Sequence, residues 1–271
     1  MGAPAHASSR VATRLEAQHG APVVVAEHWL AARELGPARR ALLAAADMSC
    51  AVHGIEVRLT PDITRSYDLA AAELVVRYAA AYRERGVVGV GLGGPEVEHP
   101  PAPFERVFRL ARDNGLGSVP HAGEFAGADS IRDSLERLGA NRIRHGIRAV
   151  EEPGLVRELA DRRTVLDVCP ISNVRLGAVR SLEEHPLPDL TAAGVPCSLS
   201  TDDPALFGTN LEHEYETAAS LGLRPHDFYA AGVEGALCDV ETRERLHRIG
   251  QAFDWDALPV TPRTLETHPS S

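Results

Sequence analysis

The 271-residue chain contains no lysine, so all 28 of its basic residues are arginines. Without a side-chain amine, Schiff-base catalysis through lysine and a Walker-type phosphate loop are both excluded, because each depends on that group. The formal net charge is −10, and no predicted helix carries a basic run. Since binding to a nucleic-acid backbone needs clustered positive charge, we expect no nucleic-acid partner.

Cysteines and long apolar runs are also scarce. The four cysteines lie far apart and form no C-x-x-C pair: Cys50, Cys169, Cys197 and Cys238. This spacing predicts neither a disulfide framework nor a cysteine zinc site, and it favours a reducing compartment. No apolar run approaches the ~20 residues of a membrane-spanning helix, and the first residues lack the apolar core of a signal peptide. We therefore expect a cytoplasmic protein with no membrane partner.

Short apolar runs alternate with segments of helical periodicity, which predicts an α/β fold with a parallel sheet. The length and the 44% hydrophobic content fit one barrel-sized domain over residues 1–271, in which 1–20 and 259–271 are expected to be flexible. Seven runs are predicted strands, one fewer than the eight of a closed barrel: 23–26, 53–59, 87–92, 117–120, 142–145, 164–168 and 195–200.

The segments between these strands favour helices by their spacing of apolar residues. They cover 30–46, 70–85, 104–114, 128–138, 153–161, 187–193, 210–221, 225–238 and 240–253. Residues 60–62 are predicted to close the second strand, and residues 169–173 to form a polar loop.

His121 and Glu124 lie three residues apart, in a glycine-containing turn directly after a predicted strand. A neutral imidazole there can bind a metal, while the carboxylate acts on the same substrate as an acid or base. The structural alternative is that Glu124 helps to cap the helix that opens near Gly127.

Asp202 and Asp203 follow the last predicted strand and precede Pro204. Two adjacent carboxylates repel one another unless a cation or donor is close, which favours Asp202 as a metal ligand. Asp203 before a proline is equally suited to cap a helix.

Two further strand ends carry weaker signals. His145 stands between Arg144 and Gly146, where a structural histidine is the alternative to a functional one. Gly94, the second glycine of a pair, either lets the backbone approach a flat ligand or simply forms a turn.

Taken in order, these clusters resemble the adenosine deaminase family of metal-dependent hydrolases over about residues 53–220. The matching runs are 88–96, 121–124, 142–146, 169–173, 185–187 and 200–204, followed by Glu214 and Tyr215. The resemblance implies a TIM-like (β/α)8 barrel. It also implies a catalytic zinc ion that activates water for attack on the amino-bearing carbon of a purine nucleoside or base.

The resemblance further implies a role for each of six residues. His121 and Asp202 would bind zinc, Glu124 would donate a proton to the ring nitrogen, His145 would orient and deprotonate the attacking water, and Asp203 and the backbone of Gly94 would contact the purine. These roles agree with chemistry, because zinc lowers the pKa of bound water to about 7. A buried glutamic acid also suits protonation of a ring nitrogen.

Two departures from the family stand out. The family has a His-x-His pair after its first strand, and no such pair occurs here, so the barrel is expected to lack or alter that strand. Only two of the usual three or more zinc ligands then remain, and neither His19 nor His28 is expected to substitute. Gly91 stands where many relatives carry aspartate, which leaves adenosine, adenine and modified adenine nucleosides open as substrates.

Three functional hypotheses follow from this pattern. The leading one is zinc-dependent hydrolytic deamination of an adenine compound with release of ammonia. The second is a catalytically silent member that binds a purine or a partner protein. The absent His-x-His pair fits either a truncated version of an active deaminase or a degenerate paralogue that no longer catalyses. The third, a phosphoesterase or amidohydrolase of the same barrel type, is disfavoured because such sites often use a modified lysine. An unpaired strand edge is also expected to promote self-association.

Overall fold

Seven parallel strands, paired in chain order, form a single sheet. The computed structural model describes residues 23–28 and 56–255. The strands are β1 (Val23–His28), β2 (Glu56–Thr64), β3 (Gly89–Gly93), β4 (Gly117–Ala122), β5 (Arg142–His145), β6 (Val165–Val168) and β7 (Cys197–Leu199). Successive parallel strands linked by helices give a TIM-like α/β barrel, as the alternation in the sequence predicted.

Ten α-helices occur within the described residues. They are α1 (Leu69–Ala81), α2 (Glu105–Asp113), α3 (Ala128–Glu136), α4 (Pro153–Arg162), α5 (Pro170–Arg175), α6 (Leu187–Ala192), α7 (Pro204–Phe207), α8 (Leu211–Ser220), α9 (Pro225–Glu234) and α10 (Val240–Ala252). The predicted helix 30–46 lies outside the described residues.

The sheet forms the centre of the hydrophobic core. Every residue of β3, β6 and β7 is buried, as expected when helices cover a parallel sheet. Val76 and Phe108 pack helices α1 and α2 against the first half of the sheet. Leu159 and Phe228 pack α4 and α9 against the second half. The two apolar clusters hold the strand ends in fixed relative positions.

The pairing register brings the carboxyl ends of the strands to one mouth of the barrel. Asp62 of β2 lies opposite Gly91 of β3, and His121 of β4 lies opposite Arg144 of β5. Side chains from successive strand ends therefore meet in one place, where active sites of such barrels form.

Two local predictions were wrong. Residues 60–62 continue β2 instead of closing it: Pro61 is paired with His28 of β1, and Asp62 is paired with Gly91 of β3. Because proline cannot donate a ladder hydrogen bond, it argued against a strand here. Residues 170–175 form helix α5, which Pro170 can begin because its missing N–H needs no partner there.

Among the described residues, no helix has the length and apolar character needed to cross a membrane. The cytoplasmic location stays a prediction.

Candidate active site

A cavity of about 640 Å³ opens at the carboxyl ends of the strands. All six residues singled out in the sequence line it: Gly94, His121, Glu124, His145, Asp202 and Asp203. They come from the ends of β3, β4 and β5 and from the segment after β7. The fold therefore brings together residues that lie more than 100 positions apart in the chain.

Glu96 positions the turn that carries Glu124. Four consecutive backbone amides donate hydrogen bonds to the Glu96 carboxylate at 2.5–3.1 Å, those of residues 123–126. The hydroxyl of Ser130 adds a fifth at 2.6 Å. Burial alone would raise the pKa of Glu96, but these five donors outweigh it and the pKa is lowered. Glu96 is thus an ionised anchor around which the turn folds.

Glu124 is in the opposite electrostatic situation. Burial raises its pKa, and the nearby carboxylates of Asp202 and Glu96 raise it further, against the opposing effect of His145. A buried glutamic acid with a raised pKa is the group required to donate a proton near neutral pH. The alternative role as a helix cap is not observed, since Gly127 is the N-cap residue of α3.

His121 presents a neutral imidazole to the cavity. Burial lowers its pKa well below the usual value, and the charges of Arg144, His145 and Arg65 lower it further. The Nδ1 atom lies 3.2 Å from the carbonyl oxygen of Leu92. This contact places the ring proton on Nδ1 and the lone pair on Nε2, which is the arrangement typical of metal-binding histidines.

A buried ion pair lies behind His121. Arg144 donates to the carboxylate of Asp62 at 2.5 Å and to the hydroxyl of Thr60 at 2.7 Å. The other carboxylate oxygen of Asp62 is 3.7 Å from Nδ1 of His121. Gly91 makes room for this pair, because a Cβ atom there would lie 1.7 Å from Oδ1 of Asp62. The glycine that departs from the family pattern thus has a steric reason.

Asp202 and Asp203 face different partners. Asp202 has a φ of 56°, in the left-handed region, and its Oδ2 accepts a 2.5 Å hydrogen bond from the Ser172 hydroxyl. Asp203 caps helix α7 by accepting from the amide of Leu206 at 3.2 Å. The capping role considered from the sequence is therefore present, and Asp203 lines the cavity as well.

The residues at the base of the cavity fit a divalent cation. Ligand atoms of Glu124, His145 and Asp202 all lie within 4.8 Å of one another, and His121 stacks at 5.2 Å from the His145 ring. Imidazole and carboxylate donors are those that zinc prefers. The repulsion between Glu124 and Asp202 would also be relieved by a cation between them.

The mouth of the cavity differs from its base. Four exposed apolar side chains surround the opening, namely Val97, Phe125, Leu176 and Leu206. Five carboxylate residues also line the cavity, and no arginine occurs among its described lining residues. The site therefore combines an apolar rim with a strongly acidic interior.

Sequence reasoning missed several residues that support this site. Glu96, Asn173 and His185 stood inside the matching runs but had been given no role, although all three are buried polar residues. Asp62 had been assigned to a turn. In the sequence, these four residues appear only as polar residues between predicted strands and helices. The sequence alone does not distinguish such residues from the ordinary polar residues of a loop. His28 ends β1 opposite Pro61, and His19 lies outside the described residues.

A parallel barrel with polar side chains gathered at the carboxyl ends of its strands belongs to the class of TIM-barrel enzymes, and imidazoles with carboxylates there suit a metal-dependent hydrolase. Comparison with known proteins agrees with this class. The model of the adenosine deaminase family matches residues 14–249, and the chain belongs to that family.

Individual relatives are similarly informative. The chain is 48% identical over 229 residues to the aminodeoxyfutalosine deaminase of Acidothermus cellulolyticus, covering 82% of this chain and 64% of the relative. It is 42% identical over 209 residues to an adenine deaminase of Sinorhizobium medicae, covering 76% and 64%. The chain thus spans just under two thirds of the length of these relatives.

Solved structures show the same fold. The adenine deaminase of Arthrobacter aurescens superposes with a TM-score of 0.78 at 28% identity, covering 84% of this chain and 72% of the other. An amidohydrolase from Burkholderia ambifaria with bound zinc superposes with a TM-score of 0.79 at 27% identity, covering 86% and 68%.

Proposed function

We propose that this chain catalyses the hydrolytic deamination of an adenine base or nucleoside, with zinc as the cofactor. The observation that carries the proposal is the single cavity that collects His121, Glu124, His145 and Asp202. Membership of the adenosine deaminase family and likeness to named adenine and aminodeoxyfutalosine deaminases support the same chemistry.

Zinc would be held by His121 and Asp202, with Glu124 and His145 beside it. The donor types support a metal here: ligand atoms of Glu124, His145 and Asp202 converge within 4.8 Å, and the His121 ring lies 5.2 Å from that of His145. A bound zinc ion supplies Lewis acidity, which makes water nucleophilic at neutral pH.

The residues of the chain divide the remaining work. Glu124 donates its proton to the ring nitrogen next to the amino-bearing carbon, which prevents charge from building on that nitrogen. One C–O bond forms from water and one C–N bond breaks, so the amino group leaves as ammonia. The backbone of Gly94 and the carboxylate of Asp203 contact the purine ring.

The charge of the cavity selects among adenine compounds. Five carboxylate residues and no arginine line its described surface, so the phosphate of a nucleotide would meet repulsion. An uncharged base or nucleoside is therefore the better substrate. We expect adenine or adenosine to be turned over faster than adenosine monophosphate.

The test uses the purified chain loaded with zinc. We expect stoichiometric zinc by elemental analysis, and ammonia released in equal amount to the deaminated product, which is hypoxanthine from adenine and inosine from adenosine. Glu124→Gln should lower kcat by about 10²- to 10⁴-fold while zinc content stays constant, since only proton transfer is removed. Glu98→Gln, at the exposed mouth of the same cavity, is the matched control and should keep its activity.

A catalytically silent protein would give a different result. It would bind less than one equivalent of zinc and release no ammonia from adenine, adenosine or adenosine monophosphate. Near-normal turnover in Glu124→Gln would instead leave the enzyme in place and remove Glu124 from the acid role.

A further inference from the structure

Two buried side chains, those of Asn173 and His185, connect the His145 ring to the protein backbone. The backbone amide of Leu187 lies 3.1 Å from Nδ1 of His185, and Nε2 of His185 lies 3.3 Å from Oδ1 of Asn173. Nδ2 of Asn173 lies 3.1 Å from Nδ1 of His145. His185, Asn173 and His145 are each at most 4% exposed, so water does not compete for these contacts.

The direction of every hydrogen bond in this series, called the relay below, follows from the first bond, between the Leu187 amide and His185. A backbone N–H can only donate, so Nδ1 of His185 must accept from Leu187. Burial, with the nearby His145, lowers the pKa of His185 to about 4, so the ring holds one proton and carries it on Nε2. That N–H donates to Asn173 and fixes the amide oxygen on the His185 side.

The amide group of Asn173 then faces His145 as a donor. Nδ1 of His145 must accept this hydrogen bond, so it carries no proton and the ring proton lies on Nε2. This nitrogen is 3.6 Å from Oε2 of Glu124, at the base of the cavity. The same Asn173 amide is 3.4 Å from Oε1 of Glu124, so one side chain orients both residues.

We propose that Asn173 and His185 are positioning residues that hold His145 in the tautomer with its proton on Nε2, directed into the cavity. The consequence for catalysis rests on the proposed deaminase function. With its proton on Nε2, the ring donates a hydrogen bond to the attacking water and has no lone pair on that nitrogen to take a proton from it.

This differs from the role that family resemblance implied for His145. The proton lost by water passes to the carboxylate of Glu124, which has just given its own proton to the ring nitrogen. The step is balanced: the water oxygen bonds to carbon, one proton reaches the ring, and Glu124 is reprotonated. His145 also presents an N–H to the metal site, so His121 is the better imidazole ligand.

The tautomer is measurable without any activity. ¹⁵N-histidine NMR of the zinc-free and zinc-loaded chain distinguishes a nitrogen that accepts a hydrogen bond from one that carries a proton. His145→Gln assigns the signal among the 12 histidines. We expect Nδ1 of His145 to be the acceptor nitrogen in the wild type. A protonated Nδ1 in the neutral wild-type ring would overturn the proposal.

Asn173→Asp is the sharpest variant because it keeps the shape of the side chain. An aspartate has no donor for Nδ1 of His145, so the proton should move to Nδ1 and the NMR signature should invert. Asn141→Asp is the matched control, because Asn141 uses only its oxygen, which accepts from the amide of Ser118. The control should leave the His145 signature unchanged.

His185→Phe removes the anchor and provides a second route if Asn173→Asp does not fold. Asn173 can then turn over, so both His145 tautomers should be populated. In an active chain, kcat should fall about 10–100-fold with KM and zinc content nearly unchanged, as for other outer partners of metal sites. An unchanged tautomer in this variant would refute the relay. Inactivity of the wild type would refute only the deaminase function.

Discussion

Two neighbouring glutamates of the cavity have pKa values shifted in opposite directions. Glu96 receives five hydrogen bonds and its pKa is lowered, whereas Glu124 faces other carboxylates in a buried position and its pKa is raised. When two neighbouring carboxyl groups differ in pKa in this way, the one with the raised pKa is the acid and the one with the lowered pKa is the anion. The fold thus sets the two carboxyl groups apart in pKa without any unusual residue, as the proposed proton-donor role of Glu124 requires.

Glu214, on helix α8, is the clearest buried carboxyl group outside the cavity lining. Its Oε2 accepts from the amide of Ile171 at 3.2 Å, and its Oε1 accepts from the Thr209 hydroxyl at 3.0 Å. Burial raises its pKa to about 8, and these hydrogen bonds offset only part of that effect. Ionised Glu214 is therefore costly in the folded state.

This predicts a pH-dependent stability that Glu214→Gln removes. The folded pKa exceeds the unfolded value of 4.5, so the folded state binds more protons and stability falls between about pH 4.5 and 8. The variant should gain stability over wild type as pH rises, reaching a few kcal/mol at about pH 8 or above. Urea unfolding of zinc-free protein at pH 5, 7 and 9 measures this difference.

Glu216→Gln, in the same helix, is the control and should track wild type at each pH. Glutamine suits position 214 because its oxygen can accept from Ile171 while its amide donates to Thr209. Parallel stability curves for wild type and Glu214→Gln would contradict the raised pKa.

At the scale of elements, β2, β3 and β5 meet in a tightly packed polar layer. Gly91→Ala should be strongly destabilising, because the new Cβ would overlap Asp62, which is fixed by Arg144. We expect a loss of about 2–5 kcal/mol from overpacking and disturbance of the buried ion pair. The midpoint of urea unfolding measures it.

Gly232→Ala in α9 is the matched control for that change. Its Cβ would make an ordinary 3.5 Å contact with Ser198, and alanine has the higher helix propensity. The control should be neutral or stabilising. If Gly91→Ala unfolded at the same urea concentration as wild type, Asp62 would not be held as the structure indicates.

Elements whose pattern is local could be predicted from the sequence. The strand 142–145 has the predicted bounds, and β3 and α2 differ from theirs by at most two residues at each end. The course of β2 through Pro61 and the helix α5 at 170–175 could not, because each depends on tertiary partners. The strand through Pro61 is held by pairing with β1 and β3. In α5, the amide of Ile171 donates to the carboxylate of Glu214, 43 residues away.

At the scale of the whole molecule, the cavity residues were predictable and their supports were not. His121 and Asp202 could be placed at one cavity because each follows a strand end, and their role as metal ligands stays a prediction. The relay through Asn173 and His185 depends on distances between segments that are far apart in the chain. The periodic spacing of apolar residues carries no information about such distances. Hydrogen-bond direction in particular becomes defined only when the Leu187 amide is seen to donate.

Self-association stays a prediction of the overall architecture. Within residues 23–28 and 56–255, β1 and β7 each pair with one neighbour only, and unpaired strand edges favour pairing with another chain. We expect the average mass in light scattering to rise above the 29.1 kDa of one chain as concentration increases. A constant monomer mass up to about 100 µM, well above the dissociation constants typical of specific association, would argue against it.

Under the proposed function, the apolar rim is the part of the cavity at which substrate choice could be altered. The side chains of Val97, Phe125, Leu176 and Leu206 come from four separate segments of the chain and are exposed, whereas Asn173 and His185 are buried. A combinatorial library restricted to these positions would vary which purine substituents are admitted while sparing the chemistry beneath. Directed evolution of selectivity in this scaffold therefore has a natural starting point at its entrance.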